Sequence, residues 1–127
     1  MRRMLAISAA VLAATLAPGA GARVAGTQNP PPFPRLDGVW SHAEINVRIG
    51  KQPHTLILDQ GRIVAVSQIQ LTLLEADGQT AVVPLAPTTR ITIGARLAQW
   101  FELRRRMTAT TMRIDGGAAV RVRAVRF

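Results

Sequence analysis

Gln70–Pro84 reads QLTLLEADGQTAVVP, and this stretch decides the fold class. In its first half leucine alternates with glutamine and threonine, which is the two-residue period of a strand that buries one face. Asp77-Gly78 then supplies residues that tolerate the positive φ angles of a tight hairpin turn. Because the apolar pattern resumes after Thr80, the stretch predicts two antiparallel strands joined by a short turn.

The same period recurs on both sides of this hairpin. Short strands are predicted at 43–49, 54–58, 62–66, 69–73, 80–84, 89–93, 107–114 and 118–127. Gly61 suits a bulge or bend that joins two of these stretches into one long strand. Turns about 8 to 12 residues apart indicate an all-β sandwich or barrel. A small antiparallel OB-like or SH3-like barrel of six to seven strands with one short helix is preferred, since closure removes sheet edges.

The last strand carries apolar and basic residues in alternation. Val120, Val122 and Ala124 are expected to face inward, while Arg121 and Arg123 face water. Because the apolar phase breaks beyond this point, a bulge or the end of the strand is expected near Ala124.

One stretch departs from the period of two, between Ala95 and Leu103. Leu97, Trp100 and Phe101 fall near helical spacing, which predicts one or two helical turns. The two aromatic side chains are expected to lie in the core, so that the turns close one end of the sheet.

The first 22 residues predict an export signal. Arg2-Arg3 precede an apolar run from Met4 to Ala17, and Ala20 and Ala22 are small residues of the kind that signal peptidase requires. Cleavage is therefore expected after Ala22. A retained anchor is the weaker alternative, because the run falls short of the roughly 20 residues that cross a bilayer. The protein is thus predicted to be periplasmic or secreted, without a transmembrane anchor after processing.

The rest of the chain divides into a spacer and one domain. Residues 23–35 include Pro30-Pro31-Pro32-Phe33-Pro34, whose fixed φ angles favour polyproline II over a sheet. Residues 36–127 suffice for a single β-barrel domain with one core. Because the chain contains no cysteine, apolar burial and backbone hydrogen bonds must stabilise this domain without disulfides.

Positive charge is concentrated at the C-terminal end. The chain has 16 basic and 7 acidic residues, a formal charge of +9. Cleavage after Ala22 would leave 14 basic against 7 acidic residues, or +7. From Leu103 to Phe127 there are seven basic residues and one acidic residue. Such an asymmetric field attracts anionic partners, although it does not specify which one.

A series of short motifs covers about the last seventy residues. Their residues are Asp59, Gly61, Arg62, Val64, Val66, Ser67, Leu71, Thr72, Leu73, Asp77, Gly78, Val83, Pro84, Thr89, Arg90 and Ile91, followed by Leu103 to Met107 and Val122 to Val125. In this order the chain resembles a group of exported bacterial domains of unknown function. It departs from them at Arg106, where a glycine is usual. The resemblance implies a small OB-like barrel and carries no catalytic residues.

Few residues could support catalysis or metal binding. The only histidines are His42 and His54, and a cluster of both with Asp59 or Glu44 would match no recognised ligand spacing. The sequence lacks a Gly-x-Ser-x-Gly elbow and a glycine-rich phosphate loop, and its carboxylates are scattered. We therefore expect no enzymatic activity, no cofactor and no metal.

The stretch WFELRRRM, Trp100 to Met107, places three consecutive arginines behind two aromatic residues. Three adjacent guanidinium groups cannot all be buried, so they could be merely the polar end of a turn. If the last two strands form a hairpin, however, they could join other arginines on one face. The predicted anion-binding residues are Arg104, Arg105, Arg106, Arg113, Arg121 and Arg123.

These observations favour an exported, non-enzymatic binding or structural module of the bacterial envelope. Its partner would be an anionic envelope polymer, a lipid surface or an acidic protein. A single-strand nucleic-acid-binding, OB-like protein is the alternative. Nucleic acid is disfavoured because the chain has no tyrosine and because its aromatic residues near the arginines are expected in the core rather than available for stacking. A weak enzyme or metal carrier that uses His42 and His54 is a third hypothesis.

Overall fold

The computed structural model describes residues 30–126, and these form an all-β structure. The strands are β1 His42–Ile49, β2 Gln52–Val66, β3 Gln70–Glu75, β4 Thr80–Pro84, β5 Arg90–Ile93, β6 Arg96–Ala98, β7 Thr108–Ile114 and β8 Ala119–Val125. A 3₁₀ turn at Trp100–Glu102 precedes β7. All of these elements belong to the compact unit Pro32–Phe127. The predicted signal at 1–22 and residues 23–29 of the predicted spacer lie outside the described residues.

The strands form one sheet in the order β4-β3-β2-β7-β8-β5-β6, with β1 also paired to β2. All pairs are antiparallel except β5 with β8, which run parallel. β2 is long enough, at 15 residues, to pair with β1 through its first half and with β3 through its second half. Among residues 30–126, no helix is long and apolar enough to cross a membrane.

Gly61 lies in the middle of β2 and allows β3 to approach closely. A Cβ atom at this position would lie 2.5 Å from the carbonyl oxygen of Leu74, a distance that backbone atoms cannot accommodate without shifting. The prediction that one long strand passes through Gly61 is confirmed. The irregularity in pairing with β3, however, lies between Ile63 and Ala65 rather than at the glycine.

The inner face of the sheet surrounds the larger apolar core. Its buried residues are Ile63, Leu71, Leu73, Val83, Leu85, Ile91, Ile93, Leu103, Met107, Ala109, Ala119, Val122 and Ala124. Val83 comes from β4 at one end of the strand order, and Ala98 of β6 at the other end packs against the same cluster. The sheet therefore curls until both of its ends contact one core. No backbone pairing joins β4 to β6 among the described strands.

The outer face carries a second, smaller cluster around Leu56, Leu58 and Met112. Met112 of β7 belongs to this cluster, whereas Ala109 of the same strand belongs to the larger one. Because successive side chains of a strand point to opposite faces, β7 lies between the two clusters. The stretch before β1 covers part of the outer cluster. It has no regular secondary structure, and its Phe33 and Trp40 pack there.

The expected helical stretch at 95–103 is mostly extended. Gly94 has a φ of 63° and turns the chain directly after β5, so that β6 pairs back onto β5 before a single 3₁₀ turn forms. The described residues therefore contain eight strands rather than six or seven. Trp100 packs against the inner core, as expected. Phe101 does not, because it is 59% exposed.

Val120 is also placed differently from the expectation. Val122 and Ala124 are buried in the inner core, as predicted, but Val120 packs against the outer cluster. The pairing of β7 with β8 shifts between Met112 and Arg113. This bulge inserts one unpaired residue, so the side chains before it point to the opposite face from the one that strict alternation predicts. Of the two alternatives predicted near Ala124, the end of the strand is confirmed, because β8 ends at Val125, whereas the bulge lies at Val120.

Candidate functional site

Arginines line the outer face of the sheet where β5, β7 and β8 lie side by side. Arg90 of β5 is in register with Arg121 of β8. Arg123 lies two residues farther along β8, so its side chain points to the same face. We call Arg90, Arg121 and Arg123 the arginine face. No Asp or Glu occurs in β5, β7 or β8, so these strands supply no carboxylate to balance the charge.

The positive charges of this face repel one another. Arg121 is partly buried, and both this burial and the nearby charge of Arg90 lower the pKa of Arg121 below its ordinary value. A lowered pKa means that the charged form is less favourable here than in water.

Arg113, a predicted anion-binding residue, has a local structural role. Its guanidinium group donates hydrogen bonds to the carbonyl oxygens of Gly116, at 2.6 Å, and Gly117, at 2.8 Å. In the ladder it is in register with Ala119 rather than with an arginine. Arg113 thus stabilises the turn between β7 and β8, and the structure does not place it beside the arginine face.

Arg104, Arg105 and Arg106 form the turn before β7, at the opposite end of that strand from Arg113. The Arg104 side chain donates to the carbonyl oxygen of Phe101 at 2.7 Å. The backbone N–H of Arg106 donates to the carbonyl oxygen of Ile63 at 2.9 Å, which attaches the turn to β2. Arg106 has a φ of 79°, a left-handed conformation that favours glycine. All three side chains are exposed.

Of the six predicted residues, the structure therefore brings Arg121 and Arg123 together on one face. Arg90 is not among the predicted residues, because its place depends on the parallel pairing of β5 with β8. No short-range signal marks that pairing, because the two strands are separated by β6, the 3₁₀ turn and β7.

A second group of ionisable residues surrounds His42. Its Nδ1 atom lies 2.7 Å from Oδ1 of Asp59, and its Nε2 atom lies 3.0 Å from Oε2 of Glu44. Burial lowers the pKa of His42, but the hydrogen bonds and charges of these two carboxylates outweigh it and raise the pKa above its ordinary value. His42 is thus held in its protonated form more strongly than a free histidine.

His54 does not join this group. Its Nδ1 atom lies 2.5 Å from Oδ2 of Asp115, near the turn between β7 and β8. The structure does not bring the two histidines together, because β1 and β2 are antiparallel and His42 is in register with Asp59 while His54 is in register with Val47. Within residues 30–126, no group of three or more His, Asp or Glu side chains is arranged to hold a metal ion.

Glu75 lies beside Asp59 on the inner face of the sheet. It is 7% exposed, and its Oε2 atom has no hydrogen-bond partner among the described residues. Burial, together with the hydrogen bond and the charge of Asp59, raises the pKa of Glu75 to about 8. A protonated Glu75 can donate to Asp59, so one proton between two carboxyl groups explains both observations.

Glu75, Asp59, His42 and Glu44 together connect the sheet interior with the surface. The arrangement can store a proton near neutral pH. Of its members only Glu75 was not considered from the sequence, because Asp59 and Glu75 meet only through the pairing of β2 with β3.

Compared with family models, curated proteins and solved structures, the chain matches none of them.

Proposed function

We propose that this protein is an exported, non-enzymatic binding module of the bacterial envelope, which holds an anionic partner on the arginine face. One observation carries the proposal: Arg90 and Arg121 lie in register on strands that contain no carboxylate, and burial together with the nearby charge of Arg90 lowers the pKa of Arg121. The partner is an anionic envelope polymer, a lipid surface or an acidic protein. The exposed Arg104, Arg105 and Arg106 extend the positive charge beyond the face.

The partner is expected to be polyanionic, for an energetic reason. A single exposed ion pair contributes only about 0.2–1 kcal/mol, so one arginine would not hold a ligand in salt water. Several guanidinium groups that bind several anionic groups add their contributions. Such binding weakens steeply with ionic strength, because the charges are exposed and screened.

The proposal includes a finer description of the fold. We interpret the curled sheet as a small barrel of the OB-like or SH3-like kind, in which β4 and β6 form the open seam. The shared inner core of these end strands supports this interpretation. In OB-like barrels one outer sheet face and its neighbouring loops serve for binding, and the arginine face likewise lies on an outer face of the sheet.

Retention on dextran sulfate beads and on vesicles with anionic lipids tests the proposal. The double variant Arg90→Gln and Arg123→Gln removes two exposed charges of the face. It should elute at clearly lower salt than the wild type and bind anionic vesicles at least about threefold more weakly. The matched control, Arg48→Gln with Lys51→Gln, removes two exposed charges near the β1–β2 turn.

The control should elute close to the wild type. Equal losses in both double variants would show that net charge alone causes retention, and the proposed face would be wrong. Salt-independent retention of the wild type would also contradict the proposal.

A single-strand nucleic-acid binder remains a second candidate because of Phe101. Nucleic acid was disfavoured because the Phe101 side chain was expected to be buried, but this side chain is 59% exposed. Phe101 also adjoins the arginine turn, where Arg104 donates to the carbonyl oxygen of Phe101. An exposed aromatic ring beside arginines is suited to base stacking. Tryptophan fluorescence titrated with single-stranded oligonucleotides at low salt tests this function, and an unchanged signal would exclude it.

A further inference from the structure

β1 is a long strand that pairs on only one of its two edges. Among residues 30–126 its only strand partner is β2, and the register between the two strands is unbroken over all eight residues of β1. Strands are typically about 5–6 residues long, and exposed edges are often shortened, bulged or interrupted by proline. β1 has none of these three features, so its free edge is open to another strand.

The backbone groups on this free edge belong to every second residue of β1. The carbonyl oxygen of Ser41 accepts a hydrogen bond from the N–H of Gln60 at 2.9 Å, so the backbone of Ser41 faces β2. Backbone groups of successive residues in an antiparallel strand point to alternate edges. Glu44, Asn46 and Arg48 therefore present their N–H and C=O groups on the free edge. No backbone group within the described part of the chain pairs with them.

The side chains of β1 form a polar row and an apolar row. The polar row is exposed and consists of His42, Glu44, Asn46 and Arg48, whereas the apolar row is only partly buried against the outer cluster and consists of Ala43, Ile45, Val47 and Ile49. A neighbouring strand with apolar residues in the matching row would remove more of this apolar surface from water, which is favourable.

A second copy of β1 fits this edge in an antiparallel arrangement whose two-fold axis passes beside Asn46. In this register Glu44 of each copy lies opposite Arg48 of the other copy, and Ile45 of each copy lies opposite Val47 of the other. Opposite charges and apolar side chains that face each other across antiparallel strands stabilise the pairing. Because of the symmetry, the dimer contains each of these pairs twice.

The neighbouring registers are less favourable. An axis beside Ile45 would set Arg48 opposite His42, and an axis beside Glu44 would set two carboxylates opposite each other. Like charges directly opposite one another are destabilising. An axis beside Val47 would leave Glu44 and Arg48 without an opposite charge. The distribution of charge along β1 therefore selects the register that is centred on Asn46.

The contacts of these side chains within one copy leave them accessible to a second copy. Glu44 lies 3.0 Å from His42, yet the Glu44 side chain is 60% exposed. Oδ1 of Asn46 accepts from the hydroxyl group of Thr55 at 3.0 Å, and the amide nitrogen of Asn46 can still donate across the axis. Arg48 forms no ion pair within residues 30–126, so its charge is available to Glu44 of the second copy.

We propose that β1 pairs with β1 of a second copy, antiparallel and centred on Asn46, so that two chains form a two-fold dimer with a continuous sheet. This dimer is independent of the proposed function, because no residue of the arginine face lies in β1. Both copies carry a net positive charge, and their mutual repulsion opposes association. The dimer should therefore be weak and should form only at high protein concentration.

Sedimentation velocity at physiological salt, from micromolar to millimolar protein, tests the dimer. The wild type should be monomeric when dilute and dimeric when concentrated. Glu44→Arg and Arg48→Glu should each weaken dimerisation by about tenfold or more, because each sets like charges opposite one another twice. The two substitutions change the net charge in opposite directions, so a loss in both cannot be caused by net charge. Arg62→Glu, an exposed position of β2 outside its pairing with β1, is the control and should not weaken dimerisation.

A mixture of the two single variants tests the register directly. In a pair of one Glu44→Arg chain and one Arg48→Glu chain, an arginine faces a glutamate at both positions. The equimolar mixture should therefore associate about as tightly as the wild type, which would also show that both variants fold. The double variant Glu44→Arg with Arg48→Glu should dimerise with itself for the same reason. A mixture that stays monomeric would overturn the proposed register.

Amide hydrogen exchange shows which edge is covered. The backbone N–H groups of Glu44, Asn46 and Arg48 should exchange rapidly in dilute protein and slowly in concentrated protein. Those of Ile45 and Val47 face β2 and should be protected at both concentrations. A wild type that is monomeric up to millimolar concentration, or that dimerises without this added protection, overturns the dimer. Retention on polyanions is measured with dilute, monomeric protein, so failure of either proposal leaves the other intact.

Discussion

At the scale of single residues, Glu75 shows how a strand pattern can bury an acid. β3 buries Leu71, Leu73 and Glu75 on the same inner face, so the alternation that predicts the strand also carries a carboxyl group inside. A buried carboxylate is costly, and a second carboxylate beside it, from Asp59, raises that cost further. The folded protein avoids the cost by keeping a proton on Glu75 at neutral pH.

This proton predicts a pH-dependent stability. An unfolded Glu75 loses its proton near pH 4.5, whereas the folded protein keeps it to about pH 8. Between these values the folded state binds more protons, so the free energy of unfolding should fall as pH rises, by at most about 1.4 kcal/mol per pH unit for this one proton. The raised pKa of His42 acts in the same direction. Urea unfolding at pH 5, 7 and 9 measures the effect.

Glu75→Gln should reduce this decline, because the amide keeps a donor toward Asp59 at every pH. The part of the decline due to His42 should remain. Asp37→Asn is the control, since Asp37 is exposed, and it should follow the wild type. Identical pH profiles for the wild type and Glu75→Gln would contradict the shared proton.

At the scale of elements, β8 joins the core to the arginine face. Val122 is fully buried on its inner side, whereas Arg121 and Arg123 occupy its outer side. The strand also pairs with β7 on one edge and with β5 on the other. Because of this central place, packing on its inner face positions the arginines on its outer face.

A matched pair of substitutions in β8 measures this packing. Val122→Ala should lower the free energy of unfolding by about 2 kcal/mol, because it leaves a cavity in the inner core. Val125→Ala removes the same atoms from a side chain that is 46% exposed, and should change the stability by less than about 0.5 kcal/mol. Chemical denaturation of both variants gives the comparison. Equal effects would mean that the inner face of β8 is not packed as described.

At the scale of the whole molecule, the arginine face and the acidic group around Glu75 lie on different strands. Glu75 interacts with Asp59 and with Asp77 around β2 and β3. The arginine face lies on β5 and β8, beyond β7 in the strand order. This separation gives the protein an electrostatic polarity that net charge alone, +9, does not convey.

The predicted location can be tested on the full-length chain expressed in a bacterial host. Cleavage after Ala22 should yield an exported protein whose N-terminal sequence begins at Arg23 and whose intact mass agrees with that start. Ala22→Leu should block processing, because the peptidase requires a small residue there. Ala14→Leu, within the apolar run, should be processed normally. A full-length protein that stays in the membrane fraction would support the retained anchor instead.

The strand pattern predicted more of the fold than of the candidate site. The Asp77-Gly78 hairpin and the long strand through Gly61 are confirmed, since turn residues and alternation act within a few neighbouring positions. The expectation for Phe101 was wrong, because helical spacing over so short a stretch cannot be distinguished from a strand followed by a 3₁₀ turn. Arg113 was grouped with the other arginines through the expected pairing of the last two strands, but it is in register with Ala119 and its side chain holds the neighbouring turn.

The sequence by itself determined the all-β class, the hairpins and the excess of positive charge near the C-terminus, because alternation, turn residues and composition are local properties. Only the tertiary structure decided that Arg90 lies beside Arg121, that Asp59 lies beside Glu75, and that the stretch before β1 covers Arg123. The physical reason is that these contacts depend on strand order and register, which follow from packing the whole sheet around its core.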